Sequence, residues 1–181
     1  AQGRYDEAAP LYRRALELRE KLTGTAHPAY AGVLINYGIS LQTAGDLAQA
    51  QTLMRRAVGI YEAALGPDHA DTAWAQSSLA SLLSVMGDHQ EAATLARKAL
   101  EVRRKVLGER HLLTATSYHN VAAALTRSGQ GDKAAEPYYR QALAVLQYAV
   151  GDQHIDTARA HESLGSNLNR QGRAKEAEEA A

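Results

Sequence analysis

The sequence predicts an all-α solenoid of antiparallel helix pairs, about nine helices in all, beginning and ending partway through a repeat. Three observations lead there. Glycine recurs at Gly3, Gly45, Gly87, Gly129 and Gly172, in steps of 42, 42, 42 and 43 residues. A second glycine, followed three residues later by histidine, keeps the same register as Gly24/His27, Gly66/His69, Gly108/His111 and Gly151/His154. Between these turn signals apolar residues fall at three- and four-residue spacing, and β-branched residues never alternate long enough for a strand. A fixed period of this length marks stacked modules that each touch only their neighbours.

The first helix spans 5–23, with Ala8, Leu11, Tyr12, Ala15, Leu16, Leu18 and Leu22 on one stripe and Arg13, Arg14, Glu17 and Glu20 opposite. Pro10 is expected in its first turns, where a missing amide costs least, and Gly24 ends it. The second follows His27 and Pro28, carries Ala31, Leu34, Tyr37, Gly38 and Leu41 inward, and stops at Ala44 and Gly45. The third, 47–65, turns Ala50, Leu53, Met54, Ala57, Val58, Tyr61 and Leu65 inward. The alternation continues over 70–86, 89–107, 112–128, 132–150 and 155–171, and 174–181 opens a ninth helix. The fourth unit's extra residue falls in Gly129-Gln130-Gly131-Asp132, a turn, where an insertion is cheap. The expected organisation is one array: a partial repeat 3–27, units 28–69, 70–111 and 112–154, and a partial repeat 155–181.

Composition narrows the function. Lys plus Arg equals Asp plus Glu at 20 each, so the chain as a whole has no electrostatic case for nucleic acid or an anionic membrane. The absence of cysteine rules out a disulfide framework and thiolate chemistry and fits a cytoplasmic setting. No apolar run approaches the roughly 18–20 residues of a membrane span.

Within each unit the first helix carries a large, a small and a large residue: Tyr37-Gly38-x-x-Leu41, Leu79-Ala80-x-x-Leu83, Val121-Ala122-x-x-Leu125 and Leu164-Gly165-x-x-Leu168. The second carries Ala8/Tyr12/Ala15, Ala50/Met54/Ala57, Ala92/Ala96/Ala99 and Ala135/Tyr139/Ala142. Small residues there let two helices approach closely, and bulky ones fill the space between units. This pattern resembles the tetratricopeptide repeat over the whole chain. The period of 42, the phrases Glu7-Ala8-Ala9-Pro10-Leu11-Tyr12 and Thr23-Gly24-Thr25-Ala26-His27-Pro28, and the missing closing proline resemble the kinesin light chain type of that repeat. The resemblance implies a right-handed superhelix and names a repeat type, not a transport role.

The histidines at one per repeat invite a metal reading. Zinc needs three or four ligands in one small sphere, whereas these four stand a repeat apart, so each is expected to cap or pack its own loop. Gly129-Gln130-Gly131-Asp132-Lys133 lacks the spacing and the Ser/Thr of a phosphate loop and follows a helix. The pairs Arg13-Arg14, Arg55-Arg56 and Arg97-Lys98, and the run Arg103-Arg104-Lys105, recur among glutamates on second helices and read as a solvated outer face. No catalytic residue, cofactor or metal is expected, and nothing in the sequence requires an enzyme.

The resemblance further implies that first helices line a concave channel. The side chains it would place there are Ile35, Asn36, Ile39 and Gln42, then Trp74, Ser77, Ser78 and Ser81, then His119, Asn120 and Arg127, then Arg159, Glu162, Ser163, Asn169 and Arg170. Ile35, Ile39 and Trp74 make the early end apolar, and His119 and the arginines make the later end basic. The expected partner is therefore a protein or an extended peptide with an apolar or aromatic anchor and acidic residues, held by a module of a larger scaffold or regulatory protein. An asparagine two before the small residue, which in this type helps hold the ligand backbone, stands at Asn36 and Asn120, with Ser78 and Ser163 in the other units. The alternative is a structural or self-assembly module whose uncapped end helices, through Tyr5, Ala8 and Tyr12 or Ala158 and Leu164, pair with a second copy.

Overall fold

The structure, a computed structural model, describes the backbone of residues 2–179 and the side chains of 7–178. Among the described residues there are nine helices and no strand: α1 (Gln2–Thr23), α2 (Pro28–Ala44), α3 (Leu47–Leu65), α4 (Ala70–Met86), α5 (His89–Leu107), α6 (Leu112–Arg127), α7 (Asp132–Val150), α8 (Ile155–Arg170) and α9 (Ala174–Glu179). None of them is long and apolar enough to cross a membrane. They form two compact units, Ala1–Met86 and Gly87–Ala181. In each unit consecutive helices pack against one another across short turns.

The first unit is organised around α2. His27 caps its start: the imidazole Nδ1 accepts the Ala29 amide at 3.1 Å, and Pro28 follows where no amide is needed. Gly45 ends it at φ 93°, a left-handed turn that side chains with a Cβ disfavour. Leu34, Ile35 and Leu41 of α2, Met54 of α3, and Leu79, Leu82 and Leu83 of α4 are fully buried. Gly38 sets the spacing between α2 and α3, since a Cβ there would lie 2.7 Å from Met54 Cγ. Against α1, Tyr37 stacks on Tyr12 with ring centroids 5.2 Å apart.

The second unit repeats the frame with Ala92, Ala96 and Ala99 on α5, Val121, Ala122 and Leu125 on α6, Ala135 and Ala142 on α7, and Leu164 and Leu168 on α8, all buried. Its first helices are capped as in unit 1, with His111 and His154 accepting the amides of Leu113 and Asp156; His69 does the same for Asp71 at the start of α4. A clasp that the sequence reading did not identify accompanies three of the caps. Thr72, Thr114 and Thr157, each fully buried, donate to the carbonyls of Gly66, Gly108 and Gly151 at 2.8 Å.

Four expectations need correction. The α1 stripe is narrower than predicted: Leu11 is 71% exposed and Leu18 and Leu22 are also exposed, because the covered edge carries Ala9, which is buried, and Ala8, Tyr12, Ala15 and Leu16, which are half-buried. Pro10 lies inside α1, more than two turns from its start, on the exposed side, where the carbonyl it leaves unbonded can reach water. Arg103 is 4% exposed and does not belong to the solvated face with Arg97, Lys98, Arg104 and Lys105. Leu164, expected on a partly covered end, is buried, whereas Ala158 is exposed. The Tyr5 side chain lies outside the described residues.

Candidate functional site

In unit 1 the expected channel residues sit on α2 and α4, which touch each other as well as α3. Asn36, Ile39 and Ser81 are exposed, and Gln42, Trp74 and Ser78 are half-buried. Ile35 is fully buried and Ser77 nearly so, and neither presents surface to a ligand. Trp74 meets Tyr61 edge to face, with ring centroids 6.4 Å apart. Burial, together with the nearby charge of Asp71, raises the Tyr61 phenol above its usual value, so it stays neutral. The Ser78 hydroxyl donates to the Trp74 carbonyl of its own helix. Ser163 does the same toward Arg159 in unit 2. Both serines therefore spend their hydroxyls locally, as short hydroxyl side chains on helices do, and do not stand in for Asn36 and Asn120.

In unit 2 the residues lie on α6 and α8. His119 is half-buried and meets Tyr139 of α7 edge to face at 5.6 Å. Its pKa is lowered, first by burial and then by the positive charge of Arg127, so the imidazole is neutral near pH 7. Asn120 and Ser163 are half-buried, and Arg127, Arg159, Glu162, Asn169 and Arg170 are exposed. Arg159 pairs with Asp156 at 3.4 Å, and Arg170 with Asp132 at 2.8 Å and the Ser166 hydroxyl at 2.9 Å. The later face is therefore less positive than the sequence predicts.

Arg170 belongs to a network that sequence reasoning missed. Asn167, fully buried on α8, donates to both the carbonyl and the carboxylate of Asp132 at the start of α7. One turn on, the Glu136 carboxylate accepts from Gln171, Arg140 and Arg173. Burial acts to raise the Glu136 pKa, but these three donors outweigh it and hold the pKa below its ordinary value. On the other side of α6, Arg103 of α5 donates to the Leu113 carbonyl and the Ser117 hydroxyl. Burial lowers its pKa. The available signal was Asn167 itself, a polar residue on the buried stripe of α8.

Between α6, α7 and α8 lies a cavity of about 240 Å³. Leu112, Ala115, Thr116 and His119 line it from α6, Leu146 from α7, and Asp156, Arg159 and Ala160 from α8. A second, open depression on α8 and α9 is bordered by Glu162, Asn169 and Arg170. Among the described residues no group of three His, Cys, Asp or Glu side chains could hold a metal ion; the repeat histidines are engaged as helix caps instead.

A family model described as tetratricopeptide repeat matches residues 1–63, 30–105 and 71–136. No curated protein matches the sequence. Among solved structures, a putative kinesin light chain of Podosopora anserina with nearly identical TPR-like repeats superposes with a TM-score of 0.86 at 22% identity, over 98% of this chain and 84% of that one. BtubC (BKLC) from P. vanneervenii gives a TM-score of 0.89 at 21% identity, over 99% and 71%. A Rap protein complexed with competence and sporulation factor gives 0.76 at 22%, over 99% of this chain and 47% of that one. These likenesses establish a shared fold, and none of the matches indicates an enzymatic family.

Proposed function

The chain belongs to the tetratricopeptide repeat family, in its 42-residue kinesin light chain-like form, and from that premise we propose that it binds an extended peptide along its first helices. The fold generally mediates protein–protein interaction. The observation that supports the peptide reading is the sorting of side chains on those helices. Leu34, Leu41, Leu79, Leu83, Leu125, Leu164 and Leu168 are buried, while Asn36, Gln42 and Ser81 in unit 1, and Asn120, Glu162 and Asn169 in unit 2, reach the surface. Amide side chains both donate and accept, which matches the alternating groups of a peptide backbone. An acidic peptide competes with Asp132 and Asp156 for Arg170 and Arg159. The partner is a protein segment, and the chain acts as a module within a scaffold.

Selection from a library of random extended peptides tests this reading. Selected peptides should bind about tenfold more weakly to Asn36→Ala or Asn120→Ala, the loss of one or two hydrogen bonds to a backbone. Equal binding to both variants, or no selected peptide at all, refutes the assignment of this face.

A further inference from the structure

We infer that the histidine caps make the starts of the first helices respond to acid, and that they respond in a fixed order, with α2 opening first and α4 and α8 last.

The geometry decides the direction. In each cap the Nδ1 atom of His27, His69, His111 or His154 accepts a backbone amide two residues on, at 3.1, 3.1, 3.1 and 3.2 Å. A nitrogen that accepts carries no proton, so each cap requires the neutral ring with its proton on Nε2. Imidazole changes charge between about pH 5 and 8. Protonation there puts an N–H where the acceptor stood and a positive charge at the positive end of the helix dipole, and both oppose the helix. The cap is therefore present above that range and lost below it. Asp46, which accepts the Gln49 amide at the start of α3, has no such dependence within the range.

Two further features set the order. After His69 and His154 the capped amide belongs to an aspartate whose carboxylate stands beside the ring: Asp71 Oδ2 is 3.7 Å from His69 Nδ1, and Asp156 Oδ2 is 3.6 Å from His154 Nδ1. Once protonated, these rings donate to the carboxylate, and a charge-assisted bond takes the place of the cap. Ala29 and Leu113 hold that position after His27 and His111, and among the described residues no carboxylate pairs with either ring. The second feature is the threonine clasp on Gly66, Gly108 and Gly151, which contains no titrating atom. The starts of α4 and α8 have both the aspartate and the clasp. The start of α6 has the clasp alone, and α2, with Tyr30 at that register, has neither.

The surrounding charges agree with this order. The elements packed against α2 carry Glu20 and Lys21 in the last turn of α1, Arg56 and Glu62 on α3, and Asp71 on α4. Arg56 lies over the Tyr30 ring, Glu62 accepts from Gln76, and Asp71 pairs with His69. Near His111, Glu109 accepts from Arg104 and Tyr118, Lys105 pairs with Glu101, Arg110 lies over Tyr148, and the cationic Arg103 holds the Leu113 carbonyl. Asp68 and Asp152, in the loops before His69 and His154, carry the same sign as the carboxylates paired with those rings, and Asp156 also meets Arg159.

The test follows the amide protection factors of Ala29, Asp71, Leu113 and Asp156 by NMR at about pH 8 and about pH 5, the limits of the imidazole range. On acidification Ala29 should lose about fivefold in protection, the population change that one lost cap produces, Leu113 about twofold, and Asp71 and Asp156 less than either. His27→Asn keeps a capping oxygen without a titrating ring and should remove the response at Ala29. Ala29→Asp supplies the missing carboxylate and should reduce the response to that of Asp71, whereas Asp71→Ala should create one at the start of α4. Circular dichroism at both pH values checks that each variant retains its helices. An equal loss at all four amides, no loss at Ala29, or an undiminished loss in His27→Asn overturns the inference.

Discussion

Units 1 and 2 share one 42-residue frame but hold their helices together by different chemistry. In unit 1 the joints are mainly apolar, Met54 fully buried against Gly38 and Tyr61 against Trp74, with one polar bond, the buried Gln76 amide donating to Glu62. In unit 2 much of the same work falls to polar groups: Asn167 and Arg170 on Asp132, Gln171 and Arg173 on Glu136, and Arg103 on Ser117. The small residues common to both, such as Ala50, Ala92 and Ala135, bring the helix axes together. The positions between the axes can then be filled by a ring, by an ion pair, or by neither, and the third case leaves a cavity. What distinguishes the solutions is their dependence on conditions. Apolar burial is nearly indifferent to pH and salt, whereas carboxylate networks are sensitive to both.

Breaking unit 1 at its tightest point should have the largest effect. Met54→Ala empties a fully buried site and should cost about 2–5 kcal/mol, read as a shift of the urea midpoint. A loss under about 1 kcal/mol would show that α2 and α3 collapse onto the void and that the joint is not rigid. In unit 2 the matching experiment is Asp132→Ala, which removes the carboxylate shared by Asn167 and Arg170 and leaves them the Asp132 carbonyl and the Ser166 hydroxyl as acceptors. A cost of about 1–3 kcal/mol is expected, smaller at high salt, by thermal denaturation.

The caps sharpen the comparison on a finer scale. His27→Ala and His111→Ala each remove an acceptor from a first-turn amide, for about 1 kcal/mol apiece. The α6 loop keeps its Thr114 clasp, while Tyr30 stands at that register in the α2 loop, packed under Arg56 instead. Hydrogen exchange in the first turn should therefore accelerate more for His27→Ala than for His111→Ala. Equal acceleration would mean the threonine clasp contributes nothing to the start of its helix.

The smallest effect is on pH dependence. The Glu136 pKa is lower in the folded state than in the unfolded one, so the carboxylate contributes stability above the ordinary value of 4.5 and loses it as pH falls through the folded value. Thermal midpoints followed downward from pH 7 should bend in that acid range, and Glu136→Gln should straighten the curve. An unchanged acid limb would place the sensitivity elsewhere.

Much of the fold was legible because the period is strong and each turn is marked. Seven of the predicted segments, from 28–44 to 155–171, match α2 to α8 to within one residue at each end, since glycine at a left-handed turn stops a helix wherever it packs. The four repeat histidines were recognisable as loop residues and are helix caps. The candidate site was less legible. Ile35 and Ser77 share helical spacing with Asn36 and Ser81 but point into the packing, and Arg159 and Arg170 are matched by carboxylates that the pattern did not pair with them.

By itself the sequence determined the limits of α2 to α8, the histidine caps and the small residues at which the helices meet, because each depends on residues within a turn or two of one another. Tertiary structure alone decided that Arg103 turns inward, that Asp132 anchors α8, and that a cavity stands between α6, α7 and α8. Those outcomes depend on side chains brought from other helices, 14 residues away for Arg103 and Ser117 and 35 for Asp132 and Asn167, and helical periodicity does not carry information over that distance.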